Sequence, residues 1–171
     1  DAGTNGRITF KSKQTIEISG MVGRVRAFDT GGGHFIPVND VPEIVIDTTN
    51  PDTGVPTGDV IVSGLINARN RIDMTVEDLI LFESAVVLGR EIDSEVLIEA
   101  AGTVSIYEDP LIQNRALLAA EKLVQIGAQN IVVSGFIFAL QNDGVIDLHA
   151  SDDIQITGLL ESENIINIKA G

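Results

Sequence analysis

The sequence lacks cysteine and tryptophan, and it has only six phenylalanines and one tyrosine among its 171 residues. Without cysteine the chain has no disulfide bond, no thiolate metal site and no cysteine nucleophile. Basic residues are also few: 11 Lys and Arg stand against 25 Asp and Glu, which gives a formal net charge of −14. A nucleic-acid surface and an anionic lipid surface both require clustered Lys and Arg. The composition therefore predicts no nucleic-acid partner and no binding to an anionic membrane.

Long apolar runs are missing too, since the sequence has no stretch of 18 consecutive apolar residues. The chain is therefore predicted to insert no helix into a membrane. It shows neither a signal peptide nor an initiating Met, which favours a processed protein or a piece of a longer one. The apolar residues, 44% of the chain, are mostly Ile, Val, Leu and Ala. Stiff β-branched side chains favour strands, and uniform aliphatic side chains suit a core of repeated layers.

A short motif recurs along the chain: an alternating strand, then Ser-Gly or Thr-Gly, then an aliphatic pair. Its clear copies occupy residues 16–22, 60–66, 131–137 and 154–160, and weaker copies occupy 79–83 and 104–108. The glycines of the clear copies, predicted to form structural corners, are Gly20, Gly64, Gly135 and Gly158. Most corners are 19 to 27 residues apart, with one long gap between 20 and 64. A repeat of about 20 residues is typical of a solenoid.

Between the corners, apolar and polar residues alternate, as in Ile146-Asp147-Leu148, which predicts strands with one buried face. Repeats that cannot bury their own apolar faces must stack, and their strands then form parallel sheets. We therefore predict an all-β single domain over residues 1–171, a right-handed parallel β-helix. Asp109-Pro110 and the residues after it carry helix signals. Residues 117–128 nevertheless match 159–170 in register, which favours strands, with 109–115 as an inserted loop.

Residues 27–59 interrupt the repeat and are predicted to be a long inserted loop. The segment is acidic and contains four of the five prolines and a run of three glycines. One strand-like run, Ile44-Val45-Ile46, lies inside it and indicates a brief return to the repeat. Loops on rigid scaffolds often carry function. The residues that we select as a candidate binding loop are Asp29, His34, Phe35 and Asp40.

A metal site is the second candidate in this loop. Calcium takes six to eight oxygen ligands, and Asp47, Asn50, Asp52 and Asp59 could supply some of them. The spacing lacks the pattern of the twelve-residue calcium loop. Asp and Asn are also ordinary turn residues on a solvated surface, so both interpretations stay open. No other cofactor is indicated. No set of residues forms a recognisable catalytic constellation, so the sequence predicts no catalytic residue and no enzyme.

Two features of the repeat bear on the identity of the chain. The sequence opens with Asp1-Ala2-Gly3-Thr4 and closes with Lys169-Ala170-Gly171, and Ala100-Ala101-Gly102-Thr103 shows the same phase inside a repeat. We therefore expect end-to-end self-association or continuation into a longer chain. The repeats at 153–160 and 166–171 resemble the haemagglutinin-type repeats of filamentous haemagglutinin and other two-partner-secreted adhesins. The resemblance covers residues 1–26 and 60–171.

That resemblance implies a bacterial extracellular or cell-surface location and a structural or adhesive role in a long fibre or repetitive surface protein. It also implies contact with a cell surface or a glycan. The Asn-Pro signature of the family's secretion domain is missing, because Asn50-Pro51 lacks the surrounding pattern, so the chain matches at most a shaft segment. Two alternatives remain: a polysaccharide-active β-helix enzyme, which the scarcity of aromatic residues disfavours, and a calcium-stabilised surface module. The glycine-rich nonapeptide of calcium-loaded β-rolls is absent.

Overall fold

The computed structural model of the protein describes residues 6–23, 26–28, 35–37, 41–109, 111 and 114–171. These residues form strands, turns and bends, and none of them is helical. The described chain accordingly has no helix that could cross a membrane. Its strands build three long parallel sheets and three short antiparallel pairs. The all-β, parallel-sheet part of the sequence prediction is confirmed.

The strands follow one another along the chain with short links. The first eight are β1 (Arg7–Lys11), β2 (Ile16–Ile18), β3 (Met21–Gly23), β4 (Arg26–Phe28), β5 (Phe35–Pro37), β6 (Glu43–Asp47), β7 (Thr49–Asn50) and β8 (Val55–Pro56). The next nine are β9 (Val60–Val62), β10 (Leu65–Ala68), β11 (Arg71–Val76), β12 (Leu79–Leu81), β13 (Val86–Gly89), β14 (Glu95–Ala100), β15 (Thr103–Ile106), β16 (Glu108–Asp109) and β17 (Asn114–Arg115). The last eight are β18 (Leu117–Ala120), β19 (Leu123–Ala128), β20 (Asn130–Val133), β21 (Phe136–Ala139), β22 (Val145–Ala150), β23 (Ile154–Ile156), β24 (Leu159–Ser162) and β25 (Ile165–Lys169).

The chain visits the three long sheets in a fixed order, and we call one passage through all three a rung. The first sheet has seven strands in the order β1-β6-β11-β14-β19-β22-β25. The second sheet has six, β2-β9-β12-β15-β20-β23, and the third has six, β3-β10-β13-β18-β21-β24. Six rungs are complete, and β25 adds a seventh strand to the first sheet alone. This order is compatible with a β-solenoid.

The core consists of aliphatic ladders, because equivalent residues of successive rungs pair in register. In the second sheet, Val62, Leu81, Ile106 and Val133 succeed one another and are each fully buried. Two ladders of the first sheet and one of the third are built the same way. Fully burying one such side chain contributes about 1.5–3 kcal/mol, so the ladders are the main source of stability. The predicted alternation of buried and outward-facing residues is thus realised along the stack.

The strand assignment of residues 117–128 is also confirmed. Leu117–Ala120 forms β18 in the third sheet, and Leu123–Ala128 forms β19 in the first sheet. The helix signals after Asp109 are overridden because strand pairing on both sides buries Leu118 and Val124 completely. The inserted loop that precedes β18 is bounded by two short strands, β16 and β17, which pair in antiparallel fashion.

Each kind of link between the sheets carries one antiparallel pair. The pair β4–β5 lies between the third and first sheets, β7–β8 between the first and second, and β16–β17 between the second and third. The predicted insertion at residues 27–59 is divided by β6, which pairs with both β1 and β11 inside the first sheet. The strand-like run Ile44-Val45-Ile46 is the centre of β6, and Ile44 and Ile46 are fully buried.

Candidate functional site

The pair β7–β8 is anchored to the first sheet by a buried threonine. Thr48 is fully buried, and its hydroxyl donates to the Gly58 carbonyl at 2.7 Å, on the far side of the pair. Its backbone N–H donates to the Thr75 carbonyl of the next rung at 2.9 Å. A buried hydroxyl that is hydrogen-bonded in this way costs little to bury and fixes the base of the pair. The loop is therefore held rigidly where it leaves the sheet.

The side chains of three residues of the predicted metal site, Asp47, Asn50 and Asp52, bond to other partners. Asp47 accepts the Thr49 N–H at 2.9 Å and forms an ion pair with Lys11 at 3.2 Å. Asn50 Oδ1 accepts the Asp52 N–H at 3.1 Å, which is an Asx turn. Among the residues that the structure describes, no group of three or more His, Asp or Glu side chains could hold a metal ion. The calcium site therefore stays a prediction.

Two of the carboxylates, those of Asp47 and Asp52, form ion pairs with lysines. Asp52 forms an ion pair with Lys13 at 2.9 Å, and Lys13 lies in the link between β1 and β2, one rung away. Asp59 follows the pair, and its carbonyl accepts the Ile16 N–H at 2.9 Å. The acidic loop therefore bonds to the first rung, whose basic residues are distant in sequence. Surface ion pairs of this kind contribute at most about 1 kcal/mol each.

Asp47 gives this loop a measurable pH dependence. The hydroxyl and then the backbone N–H of Thr49 lower the pKa of Asp47, the nearby Lys11 lowers it further, and partial burial opposes them. The pKa of Asp47 is then lower in the folded chain than in the unfolded chain, where it is about 3.9. The group thus stabilises the fold above about pH 3.9, and this contribution is lost as pH falls through the folded pKa.

We therefore expect Asp47→Asn to destabilise the protein more at pH 7 than at pH 3. The asparagine keeps the shape of the side chain but has no charge for Thr49 and Lys11 to stabilise. The measurement is the free energy of unfolding from urea titrations at both pH values. Thr49→Val serves as the companion variant, because it removes the hydroxyl and should reduce the same pH dependence. An equal effect of Asp47→Asn at pH 7 and pH 3 would contradict this assignment.

The structure says little about the predicted binding loop. Asp29, His34 and Asp40 lie outside the described residues. Phe35 begins β5, which pairs with β4 through Phe28. The other histidine, His149, lies on the outward face of β22 with its Nε2 3.3 Å from Asp147. These two side chains of one strand form a surface pair.

The four predicted corner glycines occupy one structural position. Each lies in the short link between a strand of the second sheet and a strand of the third: Gly20, Gly64, Gly135 and Gly158. A Cβ at Gly64 would overlap the carbonyl oxygen of Gly20, and a Cβ at Gly158 would overlap that of Gly135. Those carbonyls accept hydrogen bonds from the next rung, as in Leu65 N–H to Gly20 at 2.9 Å. At Gly64 and Gly158 a side chain is excluded because the rungs touch there.

Two stacked aromatic pairs, which together we call the aromatic surface, are the feature that sequence reasoning missed. Phe82 and Tyr107 directly follow paired strands of the second sheet, and their rings stack with centroids 6.1 Å apart. Phe136 stacks on Phe138 along β21 at 5.6 Å, and the Arg115 guanidinium lies 4.6 Å from the Phe136 ring centroid. The sequence contains a signal for the first pair, because the weaker motif copies at 79–83 and 104–108 place Phe82 and Tyr107 at the same position of the repeat.

Phe136 of the aromatic surface belongs to a column of apolar side chains on the outer face of the third sheet. In register, its members are Met21, Leu65, Val86, Leu117, Phe136 and Leu159. The members in the middle of the column are half-buried, whereas Met21 and Leu159 at its ends are exposed. Arg115 also donates to Glu108 at 2.7 Å, so β16–β17 covers one side of Phe136. The surface thus presents apolar and aromatic side chains beside one guanidinium group.

Comparison with known proteins gives no relative: no family model, no curated protein and no solved structure matches the chain.

Proposed function

We propose that the chain is a non-catalytic structural segment, a right-handed parallel β-helix that forms part of an adhesive fibre or repetitive protein on a bacterial cell surface. The observation that carries this proposal is the set of aliphatic ladders that continue from rung to rung and are fully buried in the middle of the stack. Right-handedness is the expectation for parallel strands joined by crossovers within one sheet, which are right-handed in about 98% of cases. The resemblance of the repeats to haemagglutinin-type adhesins and the absence of cysteine support the location.

The separation of a ladder core from surface elements supports a shaft with contact elements on its sides. Ion pairs connect neighbouring rungs on the outside, such as Arg7 with Glu43 at 3.4 Å and Arg71 with Glu95 at 3.2 Å. The antiparallel pairs β4–β5, β7–β8 and β16–β17 lie outside the long sheets at the links. In this proposal the ladders give length and rigidity, and the pairs and the aromatic surface contact the cell surface or a glycan.

Immunogold electron microscopy of the producing cells tests this function. Antibodies raised against the chain should label fibres that extend from the cell surface, and isolated fibres should diffract at about 4.8 Å along their axis, the spacing of stacked strands. Label confined to discrete particles or to the cytoplasm would refute the proposal.

A parallel assay addresses the two alternatives. Incubation of the purified protein with acidic polysaccharides should release no reducing ends, and its melting temperature should not change with a calcium chelator. Release of reducing ends would favour the enzyme, and a lower melting temperature with chelator would favour the calcium-stabilised module.

A further inference from the structure

The outer face of the third sheet carries no charge in its four middle strands, β10, β13, β18 and β21, and we call it the apolar face. Its outward residues form two columns in register. The first column is the one that contains Val86 and Leu117, and the second consists of Asn67, Leu88, Ala119 and Phe138. In a chain with a formal net charge of −14, such an uncharged and mostly apolar surface indicates a contact with another molecule.

The position of the apolar face sets it apart from the rest of the surface. It lies on the side of the stack, and a further strand of the same sheet flanks its four strands at each end, β3 and β24. The outside of the first sheet is different, because it carries charged residues such as Glu43, Arg71 and Glu95. The apolar face is thus a local feature of one sheet.

The relief of the apolar face is uneven in its middle. Ala119 is 1% exposed and lies between its larger register partners Leu88 and Phe138. Leu88, in the neighbouring strand, is an outward residue that is only half-buried. The face therefore offers a projecting side chain and a depression next to each other, which is a shape that a second such face could fill.

One border of the apolar face, on the side towards the first sheet, changes its charge along the stack. It consists of the residue that follows each strand. This residue is basic after β10 and β13, where it is Arg69 and Arg90, and acidic after β18 and β24, where it is Glu121 and Glu163. After β21 it is Leu140, which is 50% exposed. One half of this border is therefore basic, and the other half is acidic or apolar.

We propose that two copies of this chain pair face to face through their apolar faces, with their stacks antiparallel. The two-fold axis runs along the strand direction, between β13 and β18. This operation reverses the order of the strands and keeps the same border of both copies on one side. It places Leu88 of each copy opposite Ala119 of the other, so that the projecting side chain fills the depression. Two-fold interfaces of this self-complementary kind are the commonest among homo-oligomers.

The border residues favour a second copy as the partner. The same axis brings Arg90 of each copy opposite Glu121 of the other, which makes two equivalent ion pairs. A partner of uniform charge would be repelled by one half of the border, whereas the reversed border of a second copy complements it. A parallel pair, with the axis along the stack, would place the two borders on opposite sides, where they could not meet.

The size of the interface predicts a weak dimer. Six strands at the strand spacing are roughly 29 Å long, and a strand of four residues is roughly 13 Å wide. Together with its borders, such a face lies at the lower end of the range for specific complexes. Burial of apolar surface drives the association, and we expect a reversible dimer whose population rises with protein concentration.

This pairing goes beyond the proposed function, because it joins two copies side by side and does not depend on what the chain contacts as a shaft. It assigns Phe136 and Phe138 of the aromatic surface to the interface between copies. The other stacked pair, Phe82 with Tyr107, follows strands of the second sheet and stays accessible for a cell surface or a glycan.

Sedimentation velocity of the purified chain at concentrations up to about 1 mM tests the interface. The wild type should dimerise. Leu88→Lys should weaken the dimer by about a hundredfold or more, because two lysines would lose their hydration in the middle of the interface. Leu97→Lys is the matched control: Leu97 is an outward, half-buried residue of β14 in the first sheet, and this variant should dimerise like the wild type.

Three outcomes of this experiment would overturn the proposal. The first is a monomeric wild type, and the second is a Leu88→Lys variant that dimerises as well as Leu97→Lys. The third is a monomeric wild type that binds phosphatidylcholine vesicles and loses this binding with Leu88→Lys, which would assign the face to a lipid surface.

A charge reversal tests the border without changing an apolar residue. Arg90→Glu should weaken the dimer about tenfold or more, because the glutamate then faces Glu121 of the second copy. The combination of Arg90→Glu with Glu121→Arg should restore the wild-type affinity, since opposite charges face each other again. A double variant that dimerises no better than Arg90→Glu would refute the contact between Arg90 and Glu121.

Spin labels test the orientation, because a chain without cysteine accepts a single introduced thiol. Leu140→Cys and Glu163→Cys place labels on the same border, after β21 and β24. In the antiparallel pair, each further strand from the axis adds two strand spacings between identical labels. Labels at position 163 should therefore be roughly 8 Å farther apart than labels at position 140. Equal distances at the two positions would indicate a parallel pair and would overturn the proposed axis.

Discussion

Replacing Ile106 with Asp is expected to unfold the protein at room temperature. Ile106 is fully buried and pairs in register with Leu81 on one side and Val133 on the other. An aspartate there must lose its hydration between two aliphatic layers, with no cation in the ladder to pair with it. The loss should exceed about 4 kcal/mol, which is a large part of the stability of a typical domain. Circular dichroism and denaturant titration measure it directly.

Ile156→Asp is the matched control, since it places the same substitution in the same ladder at its outer end. Ile156 is only partly buried, so water reaches an aspartate there, and we expect a loss of about 1–2 kcal/mol. An Ile106→Asp variant as stable as Ile156→Asp would show that the ladder does not form the core.

This pair of variants shows how far the sequence predicts the fold. The alternation at 104–106 and 154–156 is the same, so the sequence predicts a strand with the same inward face at both places. Burial depends on how many rungs lie on each side, and that number depends on where the ladder ends. The strands, the corners and the parallel sheets are local consequences of the repeat, whereas the exposure of Ile156 follows from the assembled stack.

The interruption after the first rung was harder to predict for a different reason. Its prolines and glycines indicate a loop, yet Glu43–Asp47 returns to the first sheet as β6. The run Ile44-Val45-Ile46 was visible in the sequence, but a run of three residues indicates only a short strand. Pairing on both sides, with β1 and with β11, makes it a full member of the sheet. A short strand can be central when its neighbours supply the pairing.

The side-chain partners at the candidate site could be predicted least from the sequence, because they come from distant parts of the chain. The spacing of Asp47 and Asp52 suggests calcium ligands, but Lys11 and Lys13 reach them from the adjacent rung. The stacked rings of Phe82 and Tyr107 likewise depend on register between rungs. Aligning the repeats by their corner residues predicts which residues of adjacent rungs are neighbours. The spacing of residues within one loop does not predict this.

Replacing Gly64 with Ala is expected to cost about 3 kcal/mol, the upper part of the range for overpacking a well-packed contact. The added methyl group would overlap the carbonyl oxygen of Gly20, which is backbone and cannot rotate away. Relieving the overlap separates two rungs at the corner and weakens the hydrogen bonds from Gly64 N–H to Ile18 at 3.1 Å and from Leu65 N–H to Gly20 at 2.9 Å. Denaturant titration of the monomeric chain gives the change in the free energy of unfolding.

Two other glycine variants separate the steric cause from a conformational one. Gly54 has a positive φ of 71° and open space around it, so Gly54→Ala should cost about 1–2 kcal/mol, from backbone strain alone. Gly20→Ala has neither strain nor overlap within one copy and should stay within about 0.5 kcal/mol of the wild type. Gly64→Ala must therefore be the most damaging of the three. If it were as harmless as Gly20→Ala, the rungs would not touch at the corner, and the close contact that excludes a side chain at Gly158 would lose its basis as well.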